Sequence, residues 1–377
     1  MSLRRLLAVS RKEVLQLRRD RRSMTLAFLL PLLLLLLFGY AISWDIREIE
    51  TAVWDADGTA ESRALLEAFW SSGYFEPVEP VANAAEARRA LDRGEAQLVL
   101  ALPRGFARDL GSGRPAQSGR TATVQAMVDG SDANTATIVL AYARSVVRGH
   151  GARVLLEGAA PSLPLTVQSR VWYNEELRSR NMIVPGLVAV IMMIIAAMLT
   201  SLTLSREWER GTMEQLASTP VTRAEVVLGK LLPYLAIGMV DVAVTSVVGV
   251  LLFDVPFRGS VVLLALLSFL FLVGASGLGI FVSAGSRSQL LATQVAMIVS
   301  YLPSLLLSGF MFAISSMPAP LRAITYLVPA RYFLVVTRGI FLKGVGLGVL
   351  RGEAALMALF AVAGVTLAIV RFKKALA

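Results

Sequence analysis

The chain has 377 residues, 55% of them hydrophobic and 17% charged, and a formal net charge of +10. Soluble domains carry about 25% charged residues, and this shortfall together with a mean hydropathy of +0.64 excludes an ordinary soluble protein. The sequence has no cysteine and a single histidine, His150, so disulfide bonds, thiolate nucleophiles and multi-histidine metal centres are excluded as well.

Residues 3–19 have the pattern of an amphipathic helix. Apolar residues recur on one face, at Leu3, Leu6, Leu7, Val14 and Leu17, and basic residues surround the other face. A basic amphipathic helix in front of a membrane span usually lies among the lipid headgroups, but the same surface suits a protein partner. Both interpretations stay open for this helix, which belongs to a predicted cytoplasmic segment, 1–23.

The apolar residues are concentrated in blocks of about 20 residues, and a helix of that length crosses the ~30 Å hydrocarbon layer of a bilayer. The predicted spans are residues 24–44, 182–204, 231–253, 261–283, 290–312 and 354–370. The first is predicted to be an uncleaved anchor rather than a signal peptide, because a basic helix precedes it and its apolar run is too long. The predicted fold class is an α-helical integral membrane protein with six transmembrane helices and an inserted α/β extracytoplasmic domain.

The distribution of charge predicts the orientation of the chain. Taken together, segments 1–23, 205–230, 284–289 and 371–377 contain more basic than acidic residues, whereas acidic residues outnumber basic ones across 45–181. Short loops rich in lysine and arginine stay in the cytoplasm. We therefore expect both termini inside and 45–181 outside. The net positive charge is attributed to orientation in the lipid bilayer, and no nucleic-acid partner is predicted.

Segment 45–181 has a different pattern, in which short β-rich runs alternate with helical ones. Such alternation is typical of a small α/β domain with its own core. The predicted strands are Thr51–Trp54, Phe75–Val81, Gln97–Leu102, Thr121–Val128 and Leu165–Tyr173. The predicted helices are Glu61–Trp70, Ala84–Arg93, Phe106–Leu110 and Asp132–Glu157.

The connection 313–352 is too long for a turn and combines apolar residues with prolines and basic residues. Two short helices are predicted in it, Leu321–Leu327 and Tyr332–Leu342. The second is too short to span the bilayer, and a seventh span would move the basic C-terminal tail to the outside. We therefore predict a re-entrant or interfacial helical pair on the outer side. Its candidate gate residues are Pro318, Pro329, Arg331, Arg338 and Lys343.

A charged run of mixed sign follows the second predicted span directly. Glu207, Arg210 and Glu214 are spaced three and four residues apart, which predicts one face of a short helix. Apolar contact residues and residues expected to end or bend the helix complete the segment: Gly211, Met213, Leu216 and Pro220. A partner-docking surface and a solvated helix extension with internal ion pairs both fit this pattern.

The order of several motifs resembles type-2 ABC exporter permeases over essentially the whole chain. The motifs are Arg180–Gly186, Arg206–Leu216 with Thr219–Val221, Gly229–Tyr234, Leu307–Phe310 with Ser316–Pro318, and Arg338–Gly344. The likeness is greatest to the multidrug-type subfamily with a large periplasmic domain between helices one and two. At one position the sequence departs from the family, because Trp208 stands where a basic residue is usual.

This resemblance implies a multi-pass subunit of an exporter in the bacterial inner membrane. It implies two ABC ATPase subunits docked on the segment after the second helix, a second permease copy or a sister permease, and a periplasmic adaptor protein. The residues it implicates in ATPase coupling are Arg206, Glu207, Glu209, Arg210, Gly211, Thr212, Met213, Glu214, Leu216 and Pro220.

The sequence has no convincing phosphate-binding loop of its own. The nearest candidate, Gly113–Thr121, has the wrong glycine spacing and lacks the lysine that contacts phosphate. The chain is therefore predicted not to be the ATPase, and no cofactor or metal ion is predicted for it.

Two features inside the predicted spans have both structural and functional interpretations. Asp241, near the middle of the third span, is either a proton or cation relay or one end of a hydrogen bond between helices, for example with Thr245. Gly274, Gly277 and Gly279 on the fourth span predict close helix packing, within the chain or at a dimer interface.

Two functions fit these observations. The first is the permease subunit of an exporter for an amphipathic or hydrophobic substrate, drug-like or lipid-like. The second is a membrane-anchored mechanotransmission or sensing protein whose outer domain binds a ligand or partner without transport. Six spans with a broken outer connection favour transport.

Overall fold

The structure is a computed structural model that describes residues 1–41, 48–111, 122–129, 133–157 and 178–372. The chain forms two compact units. The first combines residues 1–43 with 171–377, and the second comprises residues 44–170.

In chain order the elements are α1 (Leu3–Arg19), α2 (Arg21–Ala41), β1 (Ile49–Asp55), α3 (Ala60–Trp70), β2 (Phe75–Pro77), α4 (Ala84–Asp92), β3 (Leu98–Leu102), α5 (Phe106–Gly111), β4 (Gln125–Val128), α6 (Ala133–Glu157), α7 (Ser179–Glu209), α8 (Met213–Ser218), α9 (Arg223–Leu251), α10 (Val261–Gly285), α11 (Gln289–Leu306), α12 (Ala319–Thr325), α13 (Pro329–Arg338) and α14 (Leu347–Arg371).

The first unit is a helical bundle. Within the described ranges, six of its helices are long and apolar enough to cross a membrane: α2, α7, α9, α10, α11 and α14. The prediction of six apolar spans is therefore confirmed. α7 is the central helix, since 89% of its most apolar stretch is buried, against 17% for α2 and 22% for α11 and α14. This position follows from its composition, because α7 is apolar around its whole circumference for most of its length.

The helix ends differ from the predicted ones. α7 continues past residue 204 to Glu209. α11 ends at Leu306 rather than at 312, and Gly309 just beyond it takes a left-handed backbone conformation (φ 87°) that a continuing helix does not allow. α14 begins at Leu347 rather than at 354, so the connection before it is shorter than predicted. Hydropathy marks the hydrocarbon-length part of a helix and leaves out its polar turns.

Close helix contacts surround α10. Gly274 and Gly277 face α14, where an added Cβ at Gly277 would lie 2.7 Å from the backbone carbonyl carbon of Gly364. Gly279 faces α7, where the backbone of Ala197 leaves no room for a side chain. The three predicted packing glycines therefore lie at helix contacts within the chain.

The connection between α11 and α14 contains a bent helical pair. The axes of α12 and α13 differ by 76°, and α13 continues as a π-helix through Gly339–Lys343. Pro318 precedes the first residue of α12, and Pro329 is the first residue of α13, a position that suits proline because the first turn needs no amide donor. Both helices thus begin earlier than predicted. Such a pair is either a broken span or a re-entrant loop.

The second unit contains a four-stranded sheet in the order β2-β1-β3-β4. β1 pairs in parallel with β2 and β3, and β4 pairs antiparallel to β3. Leu65 and Phe69 of α3 and Val139 of α6 pack on one face, and Ala87 and Ala90 of α4 pack on the other. Helices on both faces of a mostly parallel sheet are typical of an α/β arrangement.

The predicted strand Phe75–Val81 is too long, because β2 ends at Pro77. Proline cannot donate to a ladder of hydrogen bonds, although the amides of Val78 and Val81 still donate to carbonyl groups of β1. The predicted strand Leu165–Tyr173 lies outside the described residues. The extracytoplasmic location of this unit stays a prediction.

Candidate coupling site

Four elements meet at one end of the bundle: α1, the last turn of α7, α8 and the start of α9. α9 begins with a capping box in which Thr222 and Glu225 exchange hydrogen bonds of 3.3 and 2.8 Å between side chain and backbone. The Glu225 carboxylate also accepts a bond from the Ser2 amide, and Arg5 donates to the Pro220 carbonyl at 2.7 Å. These bonds fasten the start of α1 to the start of α9.

α1 and α9 approach each other closely at Gly229. A Cβ at this position would lie 2.8 Å from the Val9 Cβ and 2.9 Å from the Leu6 carbonyl oxygen. The buried side chains of α1 are Leu6, Val9, Glu13 and Leu17. Glycine at 229 is therefore required for the two helices to pack at this distance.

The apolar face predicted for α1 is divided in two by the structure. Leu6 and Leu17 pack inside the bundle, whereas Leu3, Leu7 and Val14 are exposed. The prediction of a single apolar face is therefore wrong. The face of α1 that is buried runs along a different side of the helix and includes an acidic residue.

That acidic residue, Glu13, belongs to a buried group of charges that we call the Lys230 cluster: Lys12, Glu13, Glu207, Lys230 and Tyr234. Lys230 Nζ lies 2.7 Å from Glu13 Oε2 and 3.0 Å from Glu207 Oε1, and these three side chains are at most 2% exposed. The Tyr234 hydroxyl donates to Glu13 at 2.9 Å, and Lys12, which is half exposed, donates to both oxygens of Glu207 at 2.9 and 3.0 Å. Two carboxylates thus face two ammonium groups.

The Lys230 cluster joins α1, α7 and α9 in one place. Buried charges are tolerated only when each finds partners, so the cluster restricts the relative positions of the three helices. The Thr212 hydroxyl donates to Glu207 and ties in the turn before α8. Arg206, also buried, pairs with Asp20 between α1 and α2 at 3.4 Å.

The helix breaks at Gly211, which has a left-handed conformation (φ 67°). α7 ends at Glu209 and α8 starts after the break. The prediction that Glu207, Arg210 and Glu214 share one face of a single short helix is therefore wrong. Glu207 is buried in the bundle, while Arg210 and Glu214 are exposed on either side of the break.

Five of the ten residues that the resemblance implicates in ATPase coupling are exposed. We call them the exposed strip, which consists of Glu209, Arg210, Gly211, Glu214 and Pro220. Met213 and Leu216, which were expected to contact a partner, are 3% and 9% exposed and pack within the chain. α8 is thus held in place by its own buried apolar residues. The surface that remains for a partner is mainly charged.

The exposed strip also contacts the start of α11. Both the backbone amide of Gln289 (3.0 Å) and its side chain donate to Glu209. The Arg287 guanidinium lies 5.4 Å from the ring centre of Trp208. Trp208 stands at the position where the resemblance implies a basic residue. A basic group is therefore present at this point of the surface, but it comes from a different element.

A cavity of about 790 Å³ lies beside the exposed strip along α1. Its charged lining residues are Arg11, Lys12, Arg19, Asp20 and Arg210. Four cationic side chains face a single carboxylate, and that carboxylate is already paired with Arg206. A groove of this charge favours an acidic surface.

Four of the five predicted gate residues lie in the bent pair, and Pro318 directly precedes it. The Arg331 guanidinium lies 4.1 Å from the ring centre of Tyr326 and donates to the Thr325 hydroxyl. Arg338 Nε donates to the Met182 carbonyl, 3.2 Å away on the first turn of α7. The bent pair is thereby joined to the end of α7 opposite the Lys230 cluster, and Lys343 is the last residue of its π-helical turn.

Asp241 is 2% exposed on α9, and its Oδ2 atom has no hydrogen-bond partner among the described residues. The Thr245 hydroxyl donates to the backbone carbonyl of Asp241 at 2.7 Å and not to its carboxylate. Thr245 therefore does not supply the hydrogen bond that its spacing suggested.

A bundle of apolar helices with a bent pair before the last one, and a charged turn held against an amphipathic first helix, define a multi-pass membrane protein. Comparison with known proteins identifies its family. Residues 22–370 match the ABC-2 family transporter proteins, and the chain belongs to this family.

Several relatives match over most of the chain. It is 37% identical to the probable multidrug ABC transporter permease YbhS of Escherichia coli K12, over 91% of this chain and 90% of the relative. The probable multidrug ABC transporter permease YbhR of the same strain is 29% identical over 92% of both chains. The inner membrane transport permease YhhJ is 27% identical over 86% of this chain. Membership of an ABC permease family implies an ATP-binding partner subunit.

Sequence reasoning assigned a role to only one member of the Lys230 cluster, Glu207. Lys230 and Tyr234 lay inside a recognised motif without an assigned role, Lys12 counted only as one of the basic residues of the first helix, and Glu13 was not considered. A single acid among the leucines of a basic helix and a single lysine at the start of an apolar span are each unfavourable alone. The opposite charges of Glu13 and Lys230 were the available signal that the two residues pair, although they are far apart in sequence.

Proposed function

We propose that this chain is the transmembrane subunit of an ABC exporter. It moves an amphipathic or hydrophobic substrate, drug-like or lipid-like, outward across the bacterial inner membrane, and a separate subunit hydrolyses the ATP. Membership of the ABC-2 family supports this proposal, as does similarity to proteins described as probable multidrug ABC transporter permeases.

One observation carries the coupling step: the exposed strip and the Lys230 cluster share the final turn of α7. Glu209 belongs to the same final turn of α7 as Glu207, whose carboxylate contacts Lys230. A displacement of the strip therefore acts on α7, α9 and α1 together, because separating them exposes or unpairs buried charges.

In the proposed mechanism, two ABC ATPase subunits dock from the cytoplasm, one on each permease. Their acidic side chains fit the basic cavity along α1, and the exposed strip receives the push when ATP closes the ATPases. α1, α7 and α9 then tilt as one body, and the bent pair opens as the outer gate. A second copy or a sister permease completes the pathway, and a periplasmic adaptor receives the substrate.

Affinity purification from the membranes of the host, with the bound proteins identified by mass spectrometry, tests the docking surface. The variant Arg210→Glu with Glu214→Lys reverses exposed charges and leaves the Lys230 cluster intact. Arg351→Glu with Glu353→Lys makes the same exchange at the start of α14 and is the matched control. We expect a near-stoichiometric protein with a phosphate-binding loop in the wild type and the control, and its loss in the first variant.

Two results contradict the proposal. An ATPase that stays bound to the first variant would move the docking surface away from the exposed strip. No ATPase in the wild-type sample would contradict the exporter and favour the membrane-anchored sensing protein.

A further inference from the structure

α1 has an exposed apolar stripe that the coupling site does not use. Leu3, Leu7 and Val14 are 69%, 52% and 41% exposed. Residues four and seven positions apart lie on one side of a helix, so these three side chains form one line. An aligned row of exposed apolar side chains indicates a surface that something apolar covers.

Two rows of basic residues run along α1, each with a spacing of seven residues. The inner row is Arg5, Lys12 and Arg19. The outer row is Arg4, Arg11 and Arg18. A helix turns by about 100° per residue, which places the outer row about 60° from the apolar stripe and the inner row about 160° from it.

The inner row serves the coupling site. Its members donate to the Pro220 carbonyl and to Glu207, and its last member lines the basic cavity. Arg4 and Arg18 of the outer row are exposed beside the apolar stripe, and Arg11 is exposed at the edge of the cavity. The outer row and the stripe therefore form one surface, apolar along its centre and cationic along its edge.

The chain also restricts where this surface lies. α1 ends at Arg19, α2 begins at Arg21, and the apolar span within α2 begins at Met24. A single residue between the two helices keeps the end of α1 at the boundary of the hydrocarbon layer. The buried face of α1 packs on α9, a helix long and apolar enough to span a membrane, and the stripe lies beside that face on the surface of α1.

We propose that Leu3, Leu7 and Val14, with Arg4, Arg11 and Arg18, dock α1 on an anionic phospholipid surface. The apolar side chains enter the boundary below the headgroups, and the guanidinium groups bind headgroup phosphates. A bilayer leaflet containing anionic lipid offers both chemistries side by side along the length of a helix. The inference rests on the chain crossing the membrane and not on the docking of an ATPase.

Lipid docking and coupling would then share one helix. Glu13, on the opposite side of α1 from the outer row, pairs with Lys230. A leaflet that attracts α1 therefore favours the arrangement in which Glu13 is paired with Lys230. The lipid composition would then regulate coupling.

The absence of cysteine makes the test direct, because one introduced cysteine carries one spin label. The full chain, without any ATPase, is reconstituted in nanodiscs of phosphatidylcholine with or without phosphatidylglycerol. Leu7→Cys places the label on the stripe, and Ala8→Cys places it on the next exposed residue, which lines the cavity. We expect the label at 7 to collide mainly with oxygen, which dissolves in lipid, and the label at 8 mainly with a water-soluble nickel chelate.

Charge removal tests the anionic part of the proposal. In nanodiscs with phosphatidylglycerol, changing outer-row arginines to glutamine lowers the ratio of lipid-immersed to water-exposed label at 7 by about fivefold per arginine. The same changes have little effect in phosphatidylcholine alone. A triple control in the second unit, Arg88→Gln with Arg93→Gln and Arg104→Gln, leaves the ratio unchanged.

Equal water exposure of the labels at 7 and 8 in both lipids would overturn the proposal, because lipid would then not cover the stripe. If the label at 7 is immersed in lipid to the same extent with and without phosphatidylglycerol, and with and without the outer-row arginines, the proposal that anionic headgroups bind α1 would be overturned. Both measurements use the chain alone, so failure of the ATPase pull-down would leave this result unaffected.

Discussion

Replacing Lys230 with methionine removes the cation that holds the Lys230 cluster together. Methionine keeps the length of the side chain, so the change leaves Glu13 and Glu207 buried and facing each other across an apolar group. Removing one partner of a buried ion pair costs about 3–5 kcal/mol. Tyr234 still donates to Glu13, and Lys12 still pairs with Glu207, so the backbone of α7 and α9 is expected to stay folded.

The loss is expected to appear as detachment of α1, because Glu13 is the buried charged residue of α1, whereas the other polar contacts of this helix with the bundle come from the exposed side chains of Arg5 and Lys12 and from its N-terminal end. Local opening of a helix is measured by amide hydrogen exchange. A destabilisation of about 3–5 kcal/mol corresponds to an increase in α1 exchange of between about 100-fold and about 4,000-fold. Exchange in the middle of α7 should change little.

A second variant and a control make this reasoning refutable. Lys230→Met with Glu13→Gln restores the balance of charge, so most of the protection of α1 should return. Lys12→Met removes a cation that is 52% exposed and should cost less than about 1 kcal/mol, a rise in exchange of less than about fivefold. If Lys230→Met leaves α1 exchange unchanged, or if Lys12→Met has the larger effect, the buried cluster does not hold α1.

Three further predictions follow from single positions. Gly229→Ala pushes against Val9 and should speed exchange in α1, whereas Gly352→Ala, at an open position in α14, should leave the same amides unchanged and add a little helix stability. Hydrogen bonds to the Asp57 carboxylate, the most important of them from the Ala107 amide, lower the pKa of this group. Its contribution to the stability of the folded state is therefore fully present above the ordinary pKa of 3.8 and is lost as the pH falls through the lower pKa of the folded state. Asp57→Asn should remove that part of the acid sensitivity of the second unit, measured by hydrogen exchange of β1 and β3 against pH. Asp241→Asn should leave the thermal stability unchanged or raised, because the Oδ2 atom it replaces has no partner among the described residues; a clear fall in the melting temperature would reveal a hydrogen bond absent from this structure.

The spans and the sheet strands were predictable because their signals are local. An apolar block of hydrocarbon length can only be a helix in lipid, and alternating short runs indicate strands of a small domain. Their ends were less predictable, as α14 shows: its second turn carries Arg351 and Glu353, which hydropathy assigns to a loop. A helix continues wherever its backbone hydrogen bonds are satisfied, whatever the polarity of its side chains.

The coupling site was only partly predictable, because its main contact joins residues 217 positions apart. The spacing of Glu207 and Arg210 indicated a common helix face, but it gave no information about which residue turns inward. That choice depends on Lys230, whose ammonium group lies between Glu13 and Glu207 and gives Glu207 a buried partner of opposite charge. The left-handed conformation at Gly211 then separates Glu214 from the rest. Long-range charge pairing thus decides which residues of the segment remain available for an ATPase.

α7 connects the candidate coupling site with the proposed outer gate. Glu207 near its last turn contacts Lys230, and Met182 near its first turn accepts a hydrogen bond from Arg338 of the bent pair. The 31 residues of α7 form a nearly fully buried helix, which at 1.5 Å per residue is about 46 Å long. Pro185 removes one backbone hydrogen bond close to the Met182 end, so the helix is stiff near the Lys230 cluster and easiest to bend beside Arg338. In the proposed mechanism, a push on the exposed strip is therefore transmitted along α7 and appears as bending beside the bent pair, the proposed outer gate.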